Sequence, residues 1–482
     1  MSEVRADDLT EINTAQDVAS LYTGVGKNNA KSGIEIELSF FDPSSDDLTA
    51  MSLCQNRVLK NATAAVLPDV DFVHNEPTSE LLEVASFAAS FKNMKSVMDD
   101  LNKKIKILSD KAENIGLKRS YFQELPDKTA DELLSRIVDV ERYKIMYAPY
   151  REDMRKCVQY FAVCKSNQVS VSPYDMDHMH KNIRRLYALA PFLFLLTDNS
   201  SAFSEGKPHA GHIGMTLRHA GLTEGRGGIP PYVFSAKSGE EFVNAHINHA
   251  MNNPLFMYYD RDGALNRVPS GDWGVTFNTL KQRGLNSASN YYLAQSILWP
   301  DVKVATLKDT NGAVTGHRYE ARMFGVGMHQ HQTAFIITNA LAFHDDFAAS
   351  IDDLLLRYGL DDYNAIMDSY KSARNHNGAF FNVAYGNGTM SEFAREFADL
   401  IEPVTDEMNI TDEAAPMLHI CRSGCTDGKV NRLLFPTLQD IKNIQRMHDG
   451  SMFENPNQCA SMIFDREIKN EAGRLGVGAC CG

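Results

Sequence analysis

The stretch Lys31-Ser-Gly-Ile-Glu-Ile-Glu-Leu-Ser-Phe-Phe41 constrains the chain more than any other. Glu35 and Glu37 stand two residues apart, so in extended backbone they project from one face while Ile34, Ile36 and Leu38 occupy the other. Two acids side by side in a sheet repel each other unless a cation lies between them. A hard divalent ion such as Mg²⁺, which prefers carboxylate oxygen, is the usual neutraliser. A half-exposed strand with its polar face in water is the alternative reading of this segment alone, so further acids must converge on it for the metal reading to hold.

Such acids exist. The run Asp69 to Ser86 is strand-like and carries Glu76, Glu80 and Glu83, of which Glu76 and Glu83 suit the same face and Glu80 suits solvent equally well. A helix is expected from Phe87 to Leu108, where Phe91, Met94, Met98, Leu101 and Ile105 recur by threes and fours. Residues 130 to 157 read as helical and contain Arg142 and Tyr143. Then Ser166, Gln168, Ser170 and Ser172 alternate with Val169 and Val171, a strand with one face of neutral hydrogen-bonding groups. A water-exposed edge is the competing reading. A helix over 176–196 is followed by a turn-rich loop containing Asn199 and Ser200. Arg218 and Arg226 lie in a glycine-bearing region, where a guanidinium fork suits a carboxylate or phosphate. Residues 254–263 read as a strand closing in an Asp-Gly turn. The strand 317–324 places Glu320 and Arg322 on one face, either as a surface pair or as a metal ligand beside a phosphate clamp. From 333 onward the pattern is helix after helix.

Other motifs fail on spacing. Gly24-Val-Gly-Lys27 lacks the earlier glycine and the hydroxyl residue of a phosphate loop. His329 and His331 have the spacing of a metal pair on a strand but no third ligand nearby, and Cys421 and Cys425 lack the spacing of a zinc site. A net charge of −14 offers no basic footprint for nucleic acid or an anionic membrane surface, so neither is an expected partner. The apolar run Ala188–Leu196 is too short to span a bilayer, the start of the chain does not read as a secretory signal, and eight cysteines in 482 residues suit reduced thiols in the cytoplasm.

The order of these segments resembles the plant and proteobacterial type of glutamate–cysteine ligase. That type belongs to the carboxylate–amine ligases, which share a fold with glutamine synthetase and the guanidino kinases. The resemblance rests on Gly33-Ile-Glu-Ile-Glu37, on Glu76 and Glu83 at the family's seven-residue interval, and on Arg142-Tyr143 with Ile145-Met146. It continues through Gln168-Val-Ser-Val, Asn199-Ser200 with Glu205-Gly-Lys207, Arg218, Asp272-Trp273 and Glu320-Ala-Arg322, so that it runs from about residue 30 to about residue 360. It implies an α+β fold: a curved antiparallel sheet, an open half-barrel, with helices on its outer face. One catalytic domain is expected over 1–482, with a helix and loop in 1–30, the sheet and ATP site in 31–332 and a mainly helical part in 333–482. The implied reaction joins the γ-carboxylate of glutamate to the amine of cysteine through a γ-glutamyl phosphate, with ATP and Mg²⁺, as the first step of glutathione biosynthesis. The implied metal ligands are Glu35, Glu37, Glu76, Glu83 and Glu320. Arg322 and Glu37 serve catalysis; Arg218, Gln168, Ser170, Arg142 and Tyr143 bind substrate; Arg322, Asn199 and Ser200 bind ATP. The expected partners are small molecules only, with the chain a monomer or homodimer. Three departures leave the acceptor amine open: the family's Gln-Val-Asn reads Gln168-Val-Ser170, its Asp-Trp-x-x-His-Leu-Thr reads Asp272-Trp-Gly-Val-Thr-Phe-Asn278, and no Gly-x-Asp follows Arg322. A related ligase for another amine and a non-catalytic nucleotide-binding protein are the alternatives.

Overall fold

Eight strands build the sheet that carries the acids. They are β1 (Ser32–Asp42), β2 (Thr49–Ala50), β3 (Val73–Asn75), β4 (Leu81–Ala85), β5 (Lys118–Arg119), β6 (Asn167–Val171), β7 (Val302–Lys308) and β8 (Val314–Phe324). Their order is β7-β8-β6-β1-β4-β3, antiparallel throughout, with β2 and β5 pairing the far end of β1. The computed structural model describes residues 11–67, 72–147, 163–216, 225–269, 272, 274–308, 313–376, 380 and 383–447. The sheet curls into an open half-barrel, and the fold is α+β, as expected.

Alternation in β1 decides which face is which. Ile34, Ile36, Leu38 and Phe40 are at most 2% exposed and lie level with Val169 on β6 and with Val84 and Leu82 on β4. On β8, Tyr319 and Ala321 extend the same layer opposite Val171 and Val169, and Val304 and Val302 extend it onto β7. Three helices cover this layer: α1 (Met94–Glu113), α2 (Met176–Leu196) and α3 (Gln330–Phe343). Burying each of these apolar side chains contributes about 1.5–3 kcal/mol. A one-residue slip of β1 would turn four of them to the other face. That energy holds Glu35 and Glu37 together on the concave face despite their repulsion.

The alternating segment 166–172 forms a strand over Asn167–Val171, and it lies inside the sheet between β1 and β8, not at a wet edge. The expected helix from Phe87 begins only at Met94, after a single 3₁₀ turn over Phe91–Asn93. Ser86 Oγ accepts from the Ile34 amide, and Ala89 exchanges both backbone hydrogen bonds with Ser32, so the sheet takes these residues before the helix can. Of the helical pattern expected over 130–157, the described residues hold Ala130–Leu134 and Glu141–Met146, while 148–157 lie outside the described residues; the Asp-Gly turn closes a hairpin of Met257–Tyr259 with Leu265–Arg267. After α3 the described residues are helical, apart from a small hairpin of Ala384–Tyr385 with Gly388–Thr389. No helix among the described residues is long and apolar enough to cross a membrane.

Candidate active site

The register carries the acids to one place. Glu37 stands directly opposite Glu83, Glu35 opposite Gln168, and Ser170 opposite both Gly33 and Glu320, while Glu320 faces Lys303. Paired residues share a face, so these side chains floor one basin on the concave side. Within it the five predicted acids fall into two groups.

Glu37, Glu76 and Glu83 form the first, with one carboxylate oxygen from each lying within 4.8 Å of the others. Glu37 is 6% exposed; its Oε1 accepts from Gln168 Nε2 at 2.7 Å and its Oε2 from the Ser166 amide at 2.7 Å. Gln168 Nε2 also reaches Glu83 Oε2 at 3.4 Å. Burial, then the charge of Glu37, pushes Glu76 up to about 8. Burial and the neighbouring Glu35, Glu76 and Glu37 carry Glu83 well above the carboxylate range. Such values describe carboxylates that need a cation. Oxygens on opposite sides of one Mg²⁺ lie about 4.2 Å apart, so small side-chain shifts close this trio on such an ion. The residues fit a divalent, oxygen-preferring metal.

Glu320 and Glu35 form the second group, and cations surround them. Glu320, 3% exposed, accepts from Arg322 Nη1, from Arg318 Nη2 at 3.1 Å and from Ser170 Oγ at 3.4 Å. Burial alone would raise its carboxyl, but Arg322, Arg318 and Lys303 outweigh it and hold Glu320 down at about 2. Arg318 Nη2 also lies 3.7 Å from Glu35 Oε1. Burial raises Glu35, and Arg318 pulls against it. Lys303 donates to the Ser296 carbonyl at 3.2 Å, and burial, then Arg322, brings its ammonium down to about 7. Arg142 Nη2 donates to Ser296 Oγ at 3.3 Å, which ties the helix Glu141–Met146 to this side. The basin thus holds a cation-seeking half next to a cluster of cations, a layout suited to a polyphosphate and a carboxylate together.

Tyr143 packs at the trio's edge, where burial and then Glu76 raise its phenol. Asn199 and Ser200 are buried and make their hydrogen bonds within the protein. Asn199 Nδ2 donates to the Tyr121 and Val326 carbonyls, and Ser200 Oγ donates to Asp198 at 2.6 Å. Arg218 and Trp273 lie outside the described residues. Asp272 is exposed, 3.9 Å from Arg283. His329 and His331 lie at the start of α3, not on a strand, and diverge: His329 meets Asp427 at 2.9 Å, His331 meets Asn102 at 2.7 Å. Arg226 is buried, stacked on Phe256 and donating to the Pro254 carbonyl. Glu80 is fully buried and accepts from Thr78 Oγ1. Lys303 and Arg318 are additions of the structure. The period-two pattern already placed Arg318 on the face of Glu320 and Arg322, whereas Lys303 becomes visible only through the pairing of β7 with β8.

No family model and no curated protein matches the chain. Among solved structures it is similar to the glutamate–cysteine ligase of Francisella tularensis in complex with AMP. The identity is 10% and the TM-score 0.50, over 95% of this chain and 97% of that one. It is also similar to a bifunctional glutathione synthetase from Pasteurella multocida (9% identity, TM-score 0.46), covering 94% of this chain and 54% of that one. A third similarity is to the ligase PafA in complex with the prokaryotic ubiquitin-like protein Pup (10% identity, TM-score 0.33), over 90% and 71%. The chain therefore has the glutamine synthetase-like fold seen in the Francisella ligase.

Proposed function

We propose that the chain is an ATP-dependent carboxylate–amine ligase that activates the γ-carboxylate of glutamate and joins it to an amine, cysteine being the first candidate. One observation carries the reading: on the concave face of this fold, three converging carboxylates lie beside Arg322, Arg318 and Lys303. A carboxylate oxygen of the acid attacks the γ-phosphorus, ADP leaves, and an acyl phosphate forms. The amine nitrogen then attacks the acyl carbon, phosphate leaves, and the nitrogen loses a proton. Glu37, Glu76 and Glu83 would hold Mg²⁺, which when bound screens the triphosphate from the attacking carboxylate. Gln168 fixes Glu37 and Glu83 for that task through its two hydrogen bonds. Arg322, anchored by Glu320, would direct its guanidinium charge at the transferring phosphoryl group. A donor so placed contributes about 3–4 kcal/mol, a hundred- to a thousandfold in rate. The AMP in the Francisella ligase supports a nucleotide in this basin.

Ser170 and the segment after Asp272 depart from the family pattern, which favours a different amine as the second reading. Phosphate release with ATP, Mg²⁺, glutamate and a panel of amines tests both. Turnover with cysteine supports glutathione-precursor synthesis, and turnover only with another amine assigns that acceptor. Heat stabilisation by ATP and Mg²⁺ without ADP formation on any acid or amine would sink the ligase reading.

A further inference from the structure

The basin has five acids, and the family resemblance implies that all five hold metal, yet only three of them converge on one another. The other two, Glu35 and Glu320, share a guanidinium. Arg318 Nη2 lies 3.1 Å from Glu320 Oε2 and 3.7 Å from Glu35 Oε1. The two acids stand on strands β1 and β8, either side of β6, so a cation between them must sit above β6, and the Arg318 guanidinium lies against both. A second Mg²⁺ would need oxygens about 2.1 Å away in near-octahedral array, and the guanidinium stands in that place, hydrogen-bonded to Glu320 Oε2 and 3.7 Å from Glu35 Oε1. We propose that Arg318 is a built-in cation that replaces a metal ion, so that this protein's basin takes one divalent ion, on Glu37, Glu76 and Glu83, where five free acids would take at least two.

Arg318 is tethered and keeps its charge, so the half of the basin nearest Arg322 stays charged without an exchangeable ion. The consequence for the chemistry is a division of labour. The exchangeable ion serves the Glu37 side, and fixed guanidinium charge serves the Glu320 side.

The inference rests on the proposed cation site at the trio, and the test separates the two. The full chain is titrated with Mn²⁺ alone, and free Mn²⁺ is counted by electron paramagnetic resonance. Three variants accompany the wild type: Arg318→Met, Arg318→Lys and Glu83→Gln, each checked for folding by circular dichroism. One Mn²⁺ per wild-type chain, lost in Glu83→Gln, still one in Arg318→Lys and two in Arg318→Met, is the expected result. A wild type with two Mn²⁺, one of which survives in Glu83→Gln, overturns the inference and leaves the trio standing, and this arm holds even if Arg318→Met does not fold. Folded Arg318→Met with a single Mn²⁺ also overturns it. A wild type that takes none removes the cation site itself.

Discussion

Replacing Glu76 by Gln should make the metal-free protein more stable, by an amount that follows from its titration. In the fold Glu76 holds its proton up to about pH 8, against 4.5 for an ordinary glutamate. Between those two values the folded chain binds a proton that the unfolded chain has released. Stability therefore falls as pH rises from about 4.5 to about 8 and levels off above. Each pH unit in that window costs about 1.4 kcal/mol, so at pH 7 the penalty approaches roughly 3 kcal/mol. Solvent at the partly exposed carboxyl takes back a share, leaving about 2–3 kcal/mol. At about 2 °C per kcal/mol for a large domain, Glu76→Gln should melt some 4–6 °C higher at pH 7 in EDTA. It should melt level with the wild type near pH 4.5, with the gap widening as pH rises. Mg²⁺ should close the gap, because an ion at 100 times its Kd stabilises the wild type by about 2.7 kcal/mol and the variant by much less. Scanning calorimetry at pH 5, 6, 7 and 8, with EDTA and with Mg²⁺, reads all three trends. A variant that melts at or below the wild type at pH 8 in EDTA, or an advantage that ignores pH, would refute the reasoning.

Two further substitutions should behave differently. Glu320→Gln removes a carboxylate held at about 2 and should cost about 3 kcal/mol at pH 7; because its folded pKa is lowered, that stability is present above about pH 4.5 and is lost as pH falls toward 2, so urea midpoints of variant and wild type converge in acid. Asp198 is fully buried, accepts from Ser200 N at 3.0 Å and Arg432 Nη1 at 3.1 Å, and lies 3.5 Å from His212. Asp198→Asn should therefore cost about 3–5 kcal/mol, read as a lower urea midpoint with no change in Mn²⁺ stoichiometry.

The acids of β1 were legible because strand geometry is local: a period of two and four buried apolar side chains settle which way Glu35 and Glu37 face. That Glu37 meets Glu83 was not legible in the same way. Pairing across some forty-six residues is a long-range choice, and the order of family-like segments, not periodicity, suggested it. The start of α1 was misjudged for a related reason. Phe87 fits the helical stripe, but Ser86 and Ala89 bond Ile34 and Ser32, and Phe87 ends 37% exposed. Lys303 sits in Val-Lys-Val-Ala, which reads as a surface alternation until β7 is laid against β8. Glu80 offered no signal at all, since a Thr-Ser-Glu turn gives no hint that its carboxyl is fully buried.

Strand β6 explains why the two halves of the basin stay apart. It separates β1 from β8 by two strand spacings, about 9.5 Å, and the two acids are also staggered along it, Glu37 level with Ser166 and Glu320 with Ser170. On the concave face it presents only neutral groups: Gln168, which donates to Glu37 and Glu83, and Ser170, which donates to Glu320. An acid here would extend the trio toward Glu35 and raise the repulsion that already lifts Glu83. A base would neutralise the trio in place of an ion. Neutral donors do neither, and they orient the carboxylates on both sides.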